Sequence, residues 1–230
     1  MTATTFGSTN FELARHNMVE YQIRCCKVLD TTVLDLIESM PRENFVPEHV
    51  KSLAYMEGHV PLACDQEMLS PLQEANILQQ LNLEGHERVL EIGTGTGFLT
   101  TMLAMQADEV ISCEIHATLA QQSTQNIEAH GANNVKVIEM NAMDVDAVAA
   151  QCELQKPFDV IVLTAAVKEV PAHLEALLKD GGQLMAFIGS NPVLSLIHRR
   201  KSGANWQQTG LFETLLQDME GSSRVREFVF

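Results

Sequence analysis

Three glycines, Gly93, Gly95 and Gly97, stand at alternate positions directly after the apolar run Val89-Leu90-Glu91-Ile92 and directly before the helical pattern of residues 98–105. Glycine accepts φ > 0 and lets a ligand approach the main chain closely, so the run reads as a strand, a tight turn and a helix N-terminus. The flanking chain has the matching rhythm. Short apolar runs at 88–92, 109–114, 135–140, 158–163 and 183–188 read as strands, and the stretches 97–106, 116–130 and 170–178 as helices. Such alternation implies right-handed βαβ crossovers, hence an α/β fold with a doubly wound, mostly parallel sheet. Weaker strand signals follow at 195–199, 211–215 and 224–230.

Ahead of this core the pattern is helical. Residues 11–23 and 31–40 carry apolar side chains at helical spacing (Val33, Leu34, Leu36, Ile37 and Met40 in the second), and Pro41 stops the latter. The stretch 45–71, with Pro47, Pro61 and Pro71, has little periodicity and reads as irregular chain, a type of long connection that often carries function. A further helix is expected at 72–81. Residues 1–10 are rich in Thr, Ser and Asn and read as a flexible leader. The expected organisation is thus a leader over 1–10, an N-terminal helical, substrate-side segment over 11–80, and a core over 81–230 as one compact unit.

The carboxylates around the glycines narrow the ligand. A GxGxG turn alone also serves dinucleotide enzymes, which set pyrophosphate at the helix N-terminus. Glu91, two residues before the first glycine, would oppose a pyrophosphate but suits an ammonium group such as the methionine end of S-adenosylmethionine. Glu114 ends the next strand, 17 residues beyond Gly97, where an acidic side chain can accept both ribose hydroxyls. The expected cofactor is S-adenosyl-L-methionine, with S-adenosyl-L-homocysteine as product, held by Glu91, Gly93, Thr94, Gly95, Gly97 and Glu114. Asn141 and Ala142 follow the third strand, where the Asn141 amide can bond the adenine amino group; an ordinary turn residue is the equal alternative.

The net charge of -15, from 15 basic and 30 acidic side chains, repels phosphate backbones and anionic lipid heads, so neither nucleic acid nor a membrane surface is an expected partner. Such a charge also serves solubility alone and is no evidence for a basic substrate. Cys25, Cys26, Cys64, Cys113 and Cys152 are odd in number and lack CxxC spacing, which reads as reduced thiols. His16, His49, His59 and His173 have no partners at ligand spacing, so no metal is expected. No apolar run approaches the roughly 20 residues of a membrane span, and the N-terminus lacks the pattern of a signal peptide, so a cytoplasmic location is expected.

Several motifs together resemble a known family. In order they are Met18-Val19-Glu20-Tyr21-Gln22-Ile23, Pro41-Arg42-Glu43-Asn44-Phe45-Val46-Pro47, Ala54-Tyr55, residues 89–103, Phe158-Asp159, Thr164-Ala165-Ala166, Val170-Pro171 and Gly181-Gly182. From about residue 17 to 215 the chain resembles the protein-L-isoaspartate (D-aspartate) O-methyltransferases. The resemblance implies the Rossmann-like fold of S-adenosylmethionine-dependent methyltransferases. It also implies a protein or peptide substrate, whose stray isoaspartyl carboxylate is methylated to begin repair through a succinimide.

Two segments depart from that family. Its pattern Gly-Gln-Thr-Ile-Ser-x-Pro, whose serine is taken as catalytic or substrate-positioning, corresponds here to Asp65-Gln66-Glu67-Met68-Leu69-Ser70-Pro71. Leu69 stands in the serine's place, Glu67 in the threonine's, and Ser70 comes one position late. The family's Gly-Asp-Gly is Met140-Asn141-Ala142. Ser70 and Glu67 are therefore the catalytic candidates. A carboxylate acceptor is ionised at neutral pH and needs no base, only positioning donors. A Glu67 carboxylate ~4 Å from it would repel it by roughly 4 kcal/mol at an effective dielectric near 20. Either Glu67 turns to solvent and Ser70 or a backbone amide receives the substrate, or Glu67 is a base for a neutral or cationic acceptor. The functional alternatives are a methyltransferase of this fold with a different small-molecule acceptor, and a catalytically silent cofactor-binding protein.

Overall fold

The computed structural model describes residues 10–190 and 192–222. The leader expected at the N-terminus, apart from Asn10, and the strand expected at 224–230 lie outside the described residues.

The N-terminal layer holds α1 (Phe11–Met18) and α2 (Thr31–Ser39), joined by a π-helical turn at Val19–Ile23 and a 3-10 turn at Arg24–Cys26. Each helix starts where a side chain satisfies free N–H groups: Asn10 accepts from Leu13, and Asp30 from Thr32 and Val33. The proline-containing stretch that follows is more ordered than its sequence suggests. It forms 3-10 turns and a small antiparallel hairpin of β1 (Val60–Pro61) and β2 (Glu67–Met68), with Val60 opposite Met68 and Pro61 opposite Glu67. Helix α3 (Pro71–Leu81) comes next, its first turn closed by a Ser70/Gln73 capping box with Pro71 at the first helical position.

The core then alternates β3 (Arg88–Ile92), α4 (Phe98–Ala104), β4 (Glu109–Glu114), α5 (Ala117–Ala129), β5 (Val135–Glu139), α6 (Val145–Ala150), β6 (Phe158–Val167), α7 (Ala172–Ala176), β7 (Leu178–Ser190), β8 (Val193–Ser202) and β9 (Asn205–Thr214). Among the described residues seven strands form one sheet in the order β5-β4-β3-β6-β7-β8-β9. The pairings from β5 to β7 are parallel, and β8 and β9 add on antiparallel. The doubly wound, mostly parallel sheet expected from the sequence is therefore present.

Both faces of the central strands are buried. Val89, Val160 and Val162 face one apolar cluster with Met18, Ile37, Leu78 and Met102, whereas Leu90, Ile161 and Leu163 face the other with Val148 and Leu174. The N-terminal layer thus shares its core with one face of the sheet. Three readings shift in detail. The helix expected at 170–178 shrinks to α7, because Pro171 starts it late and β7 begins at Leu178. β6 and β7 run longer than their most apolar runs. The short helix α6, capped by Asp144, gave no periodic signal. Among the described residues no helix is long and apolar enough to cross a membrane.

Candidate active site

β3 has β4 on one side and β6 on the other, so the strand order reverses there, and a crevice opens beyond its carboxyl end. The glycine loop sits in that crevice. Gly93 has φ of 97°, and a Cβ there would lie 2.2 Å from Thr164 Oγ1. The Thr164 hydroxyl is close to the carbonyl oxygens of Ile92 (2.9 Å) and Gly93 (2.7 Å), to which it can donate, so β6 sets the turn's shape. Gly97 has φ of 82° and caps α4, where a Cβ would meet Ile127 of α5 at 2.9 Å. The cleft beyond the strand ends is lined by Gly93, Thr94, Gly95, Thr96 and Glu114.

Glu91 lies at the base of this cleft and is 0% exposed. Its Oε2 accepts from Thr100 Oγ1 of α4 and from Ser112 Oγ of β4, each at 2.6 Å. Thr94 Oγ1 lies 2.6 Å from Ser112 Oγ, so Thr94 braces the same network. The other oxygen, Oε1, is buried with no hydrogen-bond partner among the described residues. Burial pushes the carboxyl up to about 7, although the Ser112 and Thr100 hydroxyls pull it down. A buried, half-satisfied carboxylate is costly. A ligand ammonium in the cleft would complete it, so the residues present fit the methionine end of S-adenosylmethionine.

The other cofactor candidates line the same cleft, except that Gly97 stands just behind it as the helix cap. Glu114 shapes the loop: its Oε2 accepts from Gly95 N at 2.8 Å and its Oε1 from His116 N at 3.1 Å. Both oxygens retain further acceptor capacity for ribose hydroxyls. Asn141 Oδ1 accepts from Met143 N at 3.0 Å, as in an ordinary turn, which leaves the amide N–H groups as its donors. Ala142 is buried, and its carbonyl accepts from His173 Nε2 at 3.0 Å.

On the acceptor side the two catalytic candidates part company. Glu67 lines the cleft, its side chain 37% exposed, with Oε2 3.4 Å from His59 Nδ1. Ser70 does not reach the cleft lining: its hydroxyl accepts from Gln73 N at 3.3 Å within the α3 cap. The Ser-Pro-x-Gln spacing is itself a helix-start signature that announces this commitment.

Several residues in or next to the cleft escaped sequence reasoning. Arg42, wholly buried, forms an ion pair with Glu74 of α3, donates to the Leu69 carbonyl at 2.6 Å and stacks over Phe98 at 4.7 Å. Burial holds Glu74 up at about 7 against the pull of Arg42. Glu74 reads as one more polar residue of an amphipathic helix, and nothing local marks it as buried in the cleft. Met219 and Glu220 also line the cleft, because chain beyond β9 returns along β6: Ala166 N donates to Gln217 O (2.9 Å) and Met219 N to Ala166 O (2.7 Å). Glu220 Oε2 then meets His116 Nε2 at 3.0 Å and Gln66 Nε2 at 3.3 Å.

The sequence matches the family described as protein-L-isoaspartate(D-aspartate) O-methyltransferase over residues 13–214. A protein-L-isoaspartate O-methyltransferase 1 of Syntrophobacter fumaroxidans is 31% identical over 212 residues, covering 92% of this chain and 96% of the relative. The protein-L-isoaspartate O-methyltransferase of Syntrophus aciditrophicus is 34% identical over 187 residues, covering 81% and 83%. Among solved structures, a Plasmodium falciparum protein assigned to the protein-L-isoaspartate O-methyltransferases and solved with S-adenosyl-L-homocysteine has a TM-score of 0.76. It is 21% identical, and the match covers 93% of this chain and 99% of that one, a likeness of fold. Motif order, sheet topology and family match agree, and the chain belongs to the protein-L-isoaspartate(D-aspartate) O-methyltransferase family.

Proposed function

We propose that this chain is an S-adenosylmethionine-dependent methyltransferase that esterifies the free carboxylate of isoaspartyl residues in proteins or peptides, as the names of its relatives describe. One observation carries the cofactor assignment within the site: the partnerless, buried Oε1 of Glu91 at the switch point of the sheet. Bound there, S-adenosylmethionine supplies an electrophilic methyl group on a sulfonium. Glu91 would hold the ammonium, the main chain of Gly93, Thr94 and Gly95 would give close approach with Gly97 shaping the turn behind them, and Glu114 would take the ribose. Asn141 and Ala142 would border the adenine. Thr100 and Ser112 hold Glu91, and Thr164 holds the Ile92–Gly93 turn, which is how a site contributes orientation to an in-line transfer.

The acceptor carboxylate arrives ionised, so no residue has to remove a proton from it. The segment 11–80 supplies the acceptor side, with Glu67 at the mouth and Ser70 acting on it from behind, through the α3 cap. A second reading has one observation in its favour: Glu67 stands on the cleft, where it could serve as base for a neutral or cationic acceptor. A cytoplasmic location is supported by the odd number of cysteines and their lack of CxxC spacing.

The test is transfer of labelled methyl to an isoaspartyl peptide, with the aspartyl peptide as control and Glu91→Ala as blank. Isoaspartate-dependent, base-labile label is expected. Cofactor binding without label would send the search to other acceptors or to a non-enzymatic role.

A further inference from the structure

Behind the mouth of the cleft runs a hydrogen-bond chain that methyl transfer as described above does not use. The main-chain N–H of Ser70 donates to Gln73 Oε1 at 2.8 Å, which fixes that end of the amide as oxygen, and Gln73 Nε2 donates to Thr214 Oγ1 of β9 at 2.9 Å. His59 Nε2 lies 3.0 Å from the same Oε1. An amide oxygen only accepts, so Nε2 carries a ring proton. The other ring nitrogen, Nδ1, faces Glu67 Oε2 at 3.4 Å. Were the ring protonated on Nε2 alone, two acceptors would confront each other across that gap. A second ring proton, on Nδ1, removes that repulsion, and imidazolium and carboxylate then form an ion pair with no net charge.

Placement gives the pair its consequence. Glu67 is on the cleft lining, whereas His59 stands behind it, its side chain 22% exposed, seated against a Gln73 that is buried and bonded at both ends of its amide. The ring is thus held from the core side by α3 and β9, and it meets the acceptor only through Glu67.

We infer that His59 and Glu67 form an ion pair that presents no net charge to the incoming acceptor, with His59 as the positioning residue that cancels the Glu67 charge at the mouth. The inference rests on the carboxylate-acceptor reading for its effect on turnover, but not for the pair itself. An anionic acceptor then meets no net charge at this pair. Without the imidazole, Glu67 would oppose it as a bare carboxylate.

The test compares the full-length wild type, His59→Gln and the double variant His59→Gln/Glu67→Gln in steady-state methylation of an isoaspartyl peptide. His59→Gln is expected to raise the peptide KM on the order of tenfold, with kcat and the cofactor KM within about twofold. Adding Glu67→Gln should bring the peptide KM back toward the wild-type value. A purely structural role for His59 predicts no rescue, so a double variant as impaired as the single overturns the inference. A fall in kcat at constant peptide KM does the same.

A nitrogen-15 NMR measurement of the His59 ring reads the pair without any acceptor. A proton-bearing Nδ1 in the wild type that becomes bare in Glu67→Gln supports it, and a bare Nδ1 in the wild type overturns it. If the wild type carries the paired proton yet labels no isoaspartyl peptide, the pair stands and the acceptor assignment falls.

Discussion

At the cofactor end of the cleft, Glu91 is 0% exposed and every group that shapes it comes from a central strand, a strand-end loop or the first turn of α4. At the acceptor end, Glu67 is 37% exposed on a hairpin of two short strands, steadied by a histidine and a helix cap. The first end is a property of the sheet, since a doubly wound fold puts a crevice beyond β3 whatever else the chain carries. The second is an attachment whose register and side chains can change without disturbing the sheet. Under the proposed function, chemistry common to the fold belongs to the buried end, and the choice of acceptor to the exposed one.

The two ends are nevertheless tied through Arg42, which pairs with Glu74, bonds the Leu69 carbonyl of the acceptor segment and stacks over Phe98 of α4. Arg42→Met should leave Glu74 buried and unpaired, at a cost of roughly 3–5 kcal/mol in denaturant unfolding. A loss below about 1 kcal/mol would mean that the Arg42–Glu74 pair does not help to anchor the acceptor segment. The next largest effect is expected at the buried end. Glu91→Gln removes the charge but preserves the shape, and calorimetry should show S-adenosylmethionine binding weakened by about 2–4 kcal/mol, some thirty- to a thousand-fold. Unchanged affinity would shift the ammonium site elsewhere.

The pH dependence of binding sharpens the same contrast. Burial holds the Glu91 carboxyl at about 7 in the empty protein, above its ordinary 4.5. A raised carboxyl in the folded state favours the protonated form, so the empty protein loses stability as pH rises from 4.5 toward 7. Cofactor binding has the opposite sign. The ammonium needs the ionised carboxylate, so affinity should fall up to about tenfold per pH unit below 7, and Glu91→Gln should flatten that slope. Binding is the better readout, because Glu74, also raised to about 7, titrates in the same unfolding curve.

The smallest effect is expected at Ser70. Ser70→Ala removes a helix cap and should cost about 1 kcal/mol of stability. At a temperature where the variant is fully folded, the peptide KM should move far less than in His59→Gln. A KM increase matching that of His59→Gln would return Ser70 to the acceptor's surroundings.

The same contrast explains what the sequence discloses. The strand, glycine turn and helix at 88–105 are legible because buried strands and positive-φ glycines leave local marks, and Glu91 and Glu114 stand at fixed offsets from them. The partners of Glu91 are not legible, since Thr100 and Ser112 reach it from α4 and β4 only once the βαβ unit closes. Glu67 can be singled out by its unusual place in the motif, but its partner His59 comes from the hairpin register that sets Pro61 opposite Glu67. No periodicity encodes that pairing. The capping role of Ser70 is encoded locally, in Ser70-Pro71 followed by Gln73, and the structure shows the cap in place.

The most direct measurement is a mass-spectrometric competition in which the wild type, given S-adenosylmethionine, meets an isoaspartyl peptide, its aspartyl counterpart and a peptide bearing only hydroxyl and amine acceptors. A single base-labile methyl on the isoaspartyl peptide alone is the predicted result. Methylation of a hydroxyl or amine instead, or no methylation by a protein that binds the cofactor, would contradict it.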